Sequence, residues 1–332
     1  MSDTAKVTYC EAILQGFEYL LENHPEVFAI GQGLWSPWYV GNSMKGLKDK
    51  YGADRIIDSP ISELAVTGLG IGAGLTGTRS IVIHPRMDFM ILAMDQIVNQ
   101  ASNWSFMLNS DKQPHVTIRS IINRGGGQGA QHSQALHSWL AHVPGLTVLM
   151  PWSVADARDM LIGATLSGQP CIYIDDRWLY ECADSIGWAG PVSIDRFVPR
   201  IVRDGVDISF VGVGYAVTLA METAEELAAI SVSAEVIDLR KLSNIDYEPI
   251  LNSVAKTGRL VVFDNAWQNC SVASEVQASV MEQIDPSVLK GRPLRINLPS
   301  TPAPAARELE KGFYPNPVDA AKKVAGWFSL SS

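Results

Sequence analysis

The sequence predicts an α/β protein made of two open, mostly parallel-sheet domains. Short apolar runs of strand length alternate with longer segments whose apolar residues recur at helical spacing. Buried strands separated by helices mean a parallel sheet covered on both faces. The rhythm breaks once, at "CADSIGWAGPVSIDRFVPR", residues 182–200, and then starts again. A chain of 332 residues can bury two cores of ordinary size, so the break separates a first domain, 1–190, from a second, 195–332.

Taken in order, "TYCEAILQGFEYLLENHP" has helical spacing and must stop at Pro25, and "VFAIGQG" follows as an apolar strand ending in glycine. The alternation continues with "IIDSP", a glycine-rich helix from Glu63 to Gly77, "RSIVIHP", "MILAMDQIVNQASNWSFML", "HVTIRSII", "LTVLMPW", "VADARDMLIGATLSG" and "PCIYID". After the break come "DISFVGVGYA", "TLAMETAEELAAI", "SAEVIDLRKL", "DYEPILNSVAKTG", "RLVVFDNA", "SVASEVQASVMEQI" and "LRINLPS", again strand and helix in turn.

Composition narrows the function. The net charge of −9 with no basic cluster argues against nucleic-acid or anionic-membrane surfaces. No apolar run approaches the ~18 residues of a membrane span, and the start lacks a basic and apolar leader, so a cytoplasmic location is expected. Cys10, Cys171, Cys182 and Cys270 stand far apart without metal-ligand spacing, which predicts buried small hydrophobes rather than a zinc or disulfide set.

The segment "DSPISELAVTGLGIGAGLTG" places one acid, Glu63, at the head of a run with glycine or alanine at 65, 68, 70, 72, 73, 74 and 77. A first-turn acid suits the helix dipole, and so many glycines imply unusually close packing. The spacing of Gly68, Gly70 and Gly72 only loosely matches a dinucleotide fingerprint, since no acid follows a second strand at the required distance.

"DSPISE", "DFMILAMDQIVNQAS", "GGGQGAQHSQALHSWLAHVPGLTVLMPWS", "SAEVIDLRKLSNIDYEPILNSVAKTGRLVVFDNA" and "TPAPAARELE" together resemble, in order and spacing, one family over nearly the whole chain. It is that of the beta subunits of the thiamine-diphosphate-dependent decarboxylating components of 2-oxo acid dehydrogenases, of the pyruvate and branched-chain type. The resemblance implies a transketolase-like pyrimidine-binding domain followed by a transketolase C-terminal-like domain. It makes Glu63 the acid that hydrogen-bonds the cofactor's pyrimidine nitrogen, which requires a carboxyl group held where its proton stays available. Phe89 falls where the family sets an aromatic ring against the pyrimidine, although Phe89 also suits a core position. His132, after the flexible "RGGGQG", would donate to the substrate or shuttle protons; Ser133 and Gln134 would cap and orient the segment that follows it, and His137 and His142 read as surface or packing residues.

Departures from the family are equally specific. Gln32 and Gly33 replace two acids after the first strand, so a neutral amide lines the cofactor pocket. Pro85 and Arg86 stand where relatives carry uncharged residues, and Arg86 brings a bidentate cation toward the substrate, unless it is a surface arginine. No GDG motif occurs, so Mg²⁺ and the diphosphate fall to an alpha partner, with sites shared in a two-plus-two heterotetramer. The resemblance also offers potassium a place on the backbone carbonyls of Val116, Ala164, Thr165 and Ser167. Three readings follow: decarboxylation of a 2-oxo acid with acyl transfer to a lipoyl acyltransferase; a two-subunit transketolase-like enzyme moving a ketol or acyl unit to a small acceptor; and a scaffolding paralogue without catalysis. Retention of Glu63, Phe89 and His132 disfavours the third.

Overall fold

The computed structural model describes residues 6–330, arranged as two compact units. The first comprises the residues up to Asn123 together with Trp139–Phe197. Its six-stranded sheet is parallel throughout, in the order Ile56–Asp58, Val27–Gly31, Arg79–His84, Val116–Ile122, Cys171–Asp176, Thr147–Leu149. Every residue of Val116–Ile122 and Cys171–Asp176 is buried, as in central strands of a parallel sheet covered on both faces, and their polar residues include the paired Arg119 and Asp175.

The opening helix, Tyr9–Asn23, starts on a capping box: Thr8 Oγ1 accepts from Glu11 N at 3.2 Å, while the Glu11 carboxylate accepts from Thr8 N at 2.8 Å. It packs along Val154–Leu166 at Gly16, where an added Cβ would lie 3.3 Å from the Leu161 side chain. In the glycine-rich helix, Glu63–Gly74, two glycines face protein. A Cβ on Gly70 would fall 2.3 Å from Val82, and one on Gly74 2.8 Å from the His115 backbone. Gly72 meets nothing. Gly74→Ala should therefore destabilise the chain by about 1–3 kcal/mol through overpacking, whereas Gly72→Ala should stabilise it by up to about 1 kcal/mol. Urea unfolding of the isolated chain checks both signs.

The sheet centre holds a buried ion pair. Arg119 is 0% exposed and grips Asp175 with two bonds, Nε to Oδ1 at 2.9 Å and Nη2 to Oδ2 at 2.8 Å. The Tyr180 hydroxyl donates to Asp175 Oδ2 at 2.6 Å. Burial opposes the guanidinium charge, but Asp175 and its neighbours outweigh it and hold the Arg119 pKa above its ordinary value.

Residues 90–108, expected as one helix, form instead a short helix Met87–Met90, a 3₁₀ turn, a π-helical stretch Asp95–Ala101 and a helix Trp104–Leu108. Side chains compete with the backbone here: Ser102 Oγ and Asn103 Nδ2 both donate to the Val98 carbonyl, and Asn99 Nδ2 donates to Asp95. The cysteine expectation is half corrected. Cys10 and Cys171 are buried, but Cys182 and Cys270 are exposed, because both sit in turns outside the regular elements.

The second unit joins Arg124–Ser138 to the chain from Val198 onward. Its sheet runs Leu294–Leu298, Leu260–Trp267, Ile208–Gly212, Ala234–Asp238, Arg200–Arg203, with only the last strand antiparallel. That edge strand begins at the last residue of the apparent linker and has no counterpart among the expected strands, since "RIVR" has only two apolar residues. A closing helix, Pro317–Leu330, packs on Tyr215–Ala228. The segment Arg124–Ser138, which the sequence places in the first domain, is tied to this unit by four bonds. Arg124 Nη1 donates to Asn265 O at 3.3 Å, Gly127 N to the Glu310 carboxylate at 3.0 Å, and Val272 N to Ser138 Oγ at 3.2 Å; His137 Nε2 meets Asp264 Oδ1 at 2.9 Å.

Candidate active site

Parallel sheets offer their carboxyl edge to ligands, because there the strands end and the loops diverge. In the first unit that edge collects Gln32 and Gly33 after Val27–Gly31, Asp58 closing its strand, Pro85 and Arg86 after Arg79–His84, Asn123 after Val116–Ile122, and Arg177 after Cys171–Asp176. Asp58 Oδ1 accepts from Gly33 N at 2.5 Å and from Leu34 N at 3.3 Å. Gly33 has φ +67°, and a Cβ there would stand 2.4 Å from the Tyr39 ring. An acid at position 33 would strike Tyr39, which explains why this chain carries glycine there.

Glu63 opens the glycine-rich helix five residues beyond Asp58. Its side chain is half-buried and makes no hydrogen bond or ion pair among the described residues. The dry pocket expected around it is thus not complete within this chain's own first unit. Leu64 and Leu69 of the same helix are 53% and 54% exposed, and Ile61 just before it is 74% exposed. Gln32 is half-buried and likewise without a hydrogen-bond partner among the described residues. Phe89 is the outward ring of Met87–Met90, 36% exposed, while Met87, Asp88 and Met90 are buried. Arg86 is half-buried rather than a surface residue; its Nη1 donates to the Pro85 carbonyl at 3.2 Å, which Asn123 Nδ2 also reaches at 3.1 Å.

The structure adds a residue that the sequence reading did not single out. His84, 3% exposed at the end of its strand, places Nε2 3.1 Å from Thr67 Oγ1, one turn beyond Glu63. Burial lowers its pKa to about 4. The folded state thus resists protonation that the unfolded chain accepts near its ordinary value of about 6.5. This contribution is fully present above pH ~6.5 and is lost as pH falls through about 4, some 3 kcal/mol in all. Urea unfolding between pH 7 and pH 4 should show a smaller loss for His84→Gln than for the native chain; equal losses would reject the assignment.

In the second unit, His132 is half-exposed on a loop whose Gly125, Gly126, Gly127 and Gly129 all have positive φ. Its amide donates to Gly129 O at 3.4 Å. Ser133 is buried beneath it. His137 is a packing residue, fully buried against Asp264, and His142 is exposed. The four potassium positions lie away from the Glu63 edge, near the start of Val116–Ile122 and the end of Val154–Leu166. There Arg79 Nη1 donates to the Thr165 carbonyl at 3.0 Å and Ser167 Oγ to the Ala164 carbonyl at 2.8 Å. Among the described residues no group of three or more His, Cys, Asp or Glu side chains could hold a metal. No helix of the described residues is long and apolar enough to cross a membrane.

The carboxyl edge of the first sheet thus carries Gln32 and Glu63, each without a hydrogen-bond partner among the described residues, and the two-unit α/β architecture is that of the transketolase class. The family described as "Transketolase, pyrimidine binding domain" matches residues 5–181, and "Transketolase, C-terminal domain" matches residues 199–319. The chain is 34% identical to the pyruvate dehydrogenase E1 component subunit beta of Dictyostelium discoideum, over 97% of this chain and 92% of that one. It is 37% identical to the acetoin:2,6-dichlorophenolindophenol oxidoreductase subunit beta of Cupriavidus necator, over 83% and 81%. Among solved structures, a split-gene transketolase described as an inactive beta4 tetramer superposes with a TM-score of 0.77 at 18% identity, over 98% of this chain and 99% of that one. The chain belongs to the transketolase-like family and, within it, to the beta subunits of thiamine-diphosphate-dependent 2-oxo acid dehydrogenases.

Proposed function

We propose that this chain supplies the pyrimidine half of a shared active site, with Glu63 as its essential acid, in an enzyme that decarboxylates a 2-oxo acid. The single observation carrying this is Glu63 itself, a carboxyl group at the carboxyl edge with no partner among the described residues, on a helix whose Leu64 and Leu69 are left uncovered. When bound, thiamine diphosphate supplies the carbon nucleophile and the electron sink for decarboxylation. Glu63 would hold a proton at its carboxyl group toward the pyrimidine nitrogen, Phe89 would pack on the ring, and Gln32 and Pro85 would line it. His132 would donate a proton to substrate oxygen.

The uncovered Ile61, Leu64 and Leu69 are assigned to an alpha partner in a two-plus-two assembly, as the relatives' subunit names suggest. That partner would hold Mg²⁺ and the diphosphate. Potassium at the Val116, Ala164, Thr165 and Ser167 carbonyls would have to compete with Arg79. Four free thiols suit a reducing compartment such as the cytoplasm. Acyl transfer to a lipoyl acyltransferase is the first reading; Gln32 and Arg86 favour the second, transfer of a ketol or acyl unit to a small acceptor.

Calorimetric titration with thiamine diphosphate and Mg²⁺ tests the shared site. The chain alone should show no submicromolar binding, and the assembly with its partner should. Tight binding by the isolated chain would overturn the proposal.

A further inference from the structure

Resting on that reading of the site, we propose that Arg86 and Arg177 form an anion subsite that takes a carboxylate or phosphate on the substrate, remote from its 2-oxo carboxylate. The two arginines leave the same edge of the sheet. Arg86 follows the strand Arg79–His84 and Arg177 follows Cys171–Asp176, with Val116–Ile122 between them, so the strands stand about 10 Å apart. Two long side chains can close that distance around one small anion.

Arg177 is already oriented. Its Nη2 donates to the backbone carbonyls of Tyr39 and Trp38, in the short helix Pro37–Val40 beyond Val27–Gly31. Its Nε is buried and has no acceptor among the described residues. Arg86 uses only Nη1, on the Pro85 carbonyl. Neither guanidinium forms an ion pair among the described residues, although an arginine fork is built to bind carboxylate or phosphate with two bonds.

Nearby acids do not meet this need. Asp175 is held by both arms of Arg119, and Asp176 accepts from Trp178 N at 3.0 Å. Asp88, two residues after Arg86, is the acid whose field supports the Arg86 charge; burial first, and then the Arg177 charge, work against it and lower the Arg86 pKa. Two like charges drawn together at a ligand edge are relieved by a bound anion, and because Arg86 is already half-buried, less of its desolvation remains to be overcome on binding.

The first measurement is binding of inorganic phosphate to the isolated chain by calorimetry. Arg86→Gln and Arg177→Gln should each weaken it about ten- to a hundredfold, as expected for a lost charge-assisted bond, and the double variant should be little worse than either single one. Arg177→Lys keeps a cation for the Tyr39 carbonyl but not the fork, and it should also bind weakly, so a collapsed loop cannot mimic the result. Unchanged binding in either Gln variant, or no phosphate binding by the native chain at millimolar concentration, overturns the proposal. Displacement of phosphate by thiamine diphosphate but not by thiamine would assign the anion to the cofactor and overturn it equally.

The second measurement uses the assembled enzyme with 2-oxoglutarate and pyruvate, which differ in a remote carboxylate. The native assembly should favour 2-oxoglutarate in kcat/KM, and Arg86→Gln should reduce that preference at least tenfold. A native preference for pyruvate, or an unaltered ratio in the variant, contradicts the subsite. Phosphate binding that behaves as expected in an assembly inert toward every 2-oxo acid would instead sink the decarboxylase reading alone.

Discussion

Replacing Asp175 with alanine is expected to cost the first unit about 3–5 kcal/mol. Arg119 is fully buried, and both of its Asp175 bonds would vanish together with the acceptor of the Tyr180 hydroxyl. The guanidinium cannot shed its charge, so it would remain desolvated and uncompensated in the middle of the sheet. Domains of this kind are stable by about 5–15 kcal/mol, and the loss would consume much of that margin. Replacing both residues, as Arg119→Met with Asp175→Leu, should recover most of the stability, because a packed apolar pair carries no stranded charge. Urea unfolding resolves the difference. A loss below about 1 kcal/mol in Asp175→Ala would mean that water or another group satisfies Arg119.

Glu63→Gln is expected to lower turnover of the assembled enzyme by a hundredfold or more, the range for loss of a positioned acid–base group. Stability should change by only a few tenths of a kcal/mol, the share of a single acid at a helix start, because Glu63 makes no hydrogen bond or ion pair among the described residues that an amide would break. The split between the two readouts is informative. A merely structural Glu63 predicts small effects in both, and a folding residue predicts large effects in both.

The fold was largely legible because strand-length runs rich in apolar residues alternate with segments of helical spacing. The runs at Val116–Ile122 and Cys171–Asp176 could be read directly, and both are buried along their whole length. The glycine-rich helix could be read too, although only the structure separates Gly70 and Gly74, which need their small size, from Gly72, which does not. What escaped depends on partners distant in sequence. The edge strand Arg200–Arg203 has charged ends and takes its place from Ala234–Asp238, and the π-helical stretch arises from side chains that compete for the Val98 carbonyl. At the site, Glu63, Phe89 and Arg86 were visible as unusual residues in context. His84 and Arg177 were not, since one is defined by Thr67 across a helix-to-strand contact and the other by carbonyls of a short helix far upstream. Gly33 looked like the loss of an acid; its meaning lies in the Asp58 clasp and the Tyr39 ring.

The proposed role of Glu63 is to keep a proton in service of the cofactor ring. It is tested most directly by exchange of the thiazolium C2 proton, followed by NMR in the assembled enzyme with thiamine diphosphate bound. Glu63→Gln should slow that exchange by on the order of a hundredfold while leaving assembly and cofactor affinity close to native, since the amide retains the shape and hydrogen-bonding capacity of the acid but cannot supply the proton. Native-like exchange in the Glu63→Gln assembly would contradict the claim and leave Glu63 as a first-turn acid on a tightly packed helix.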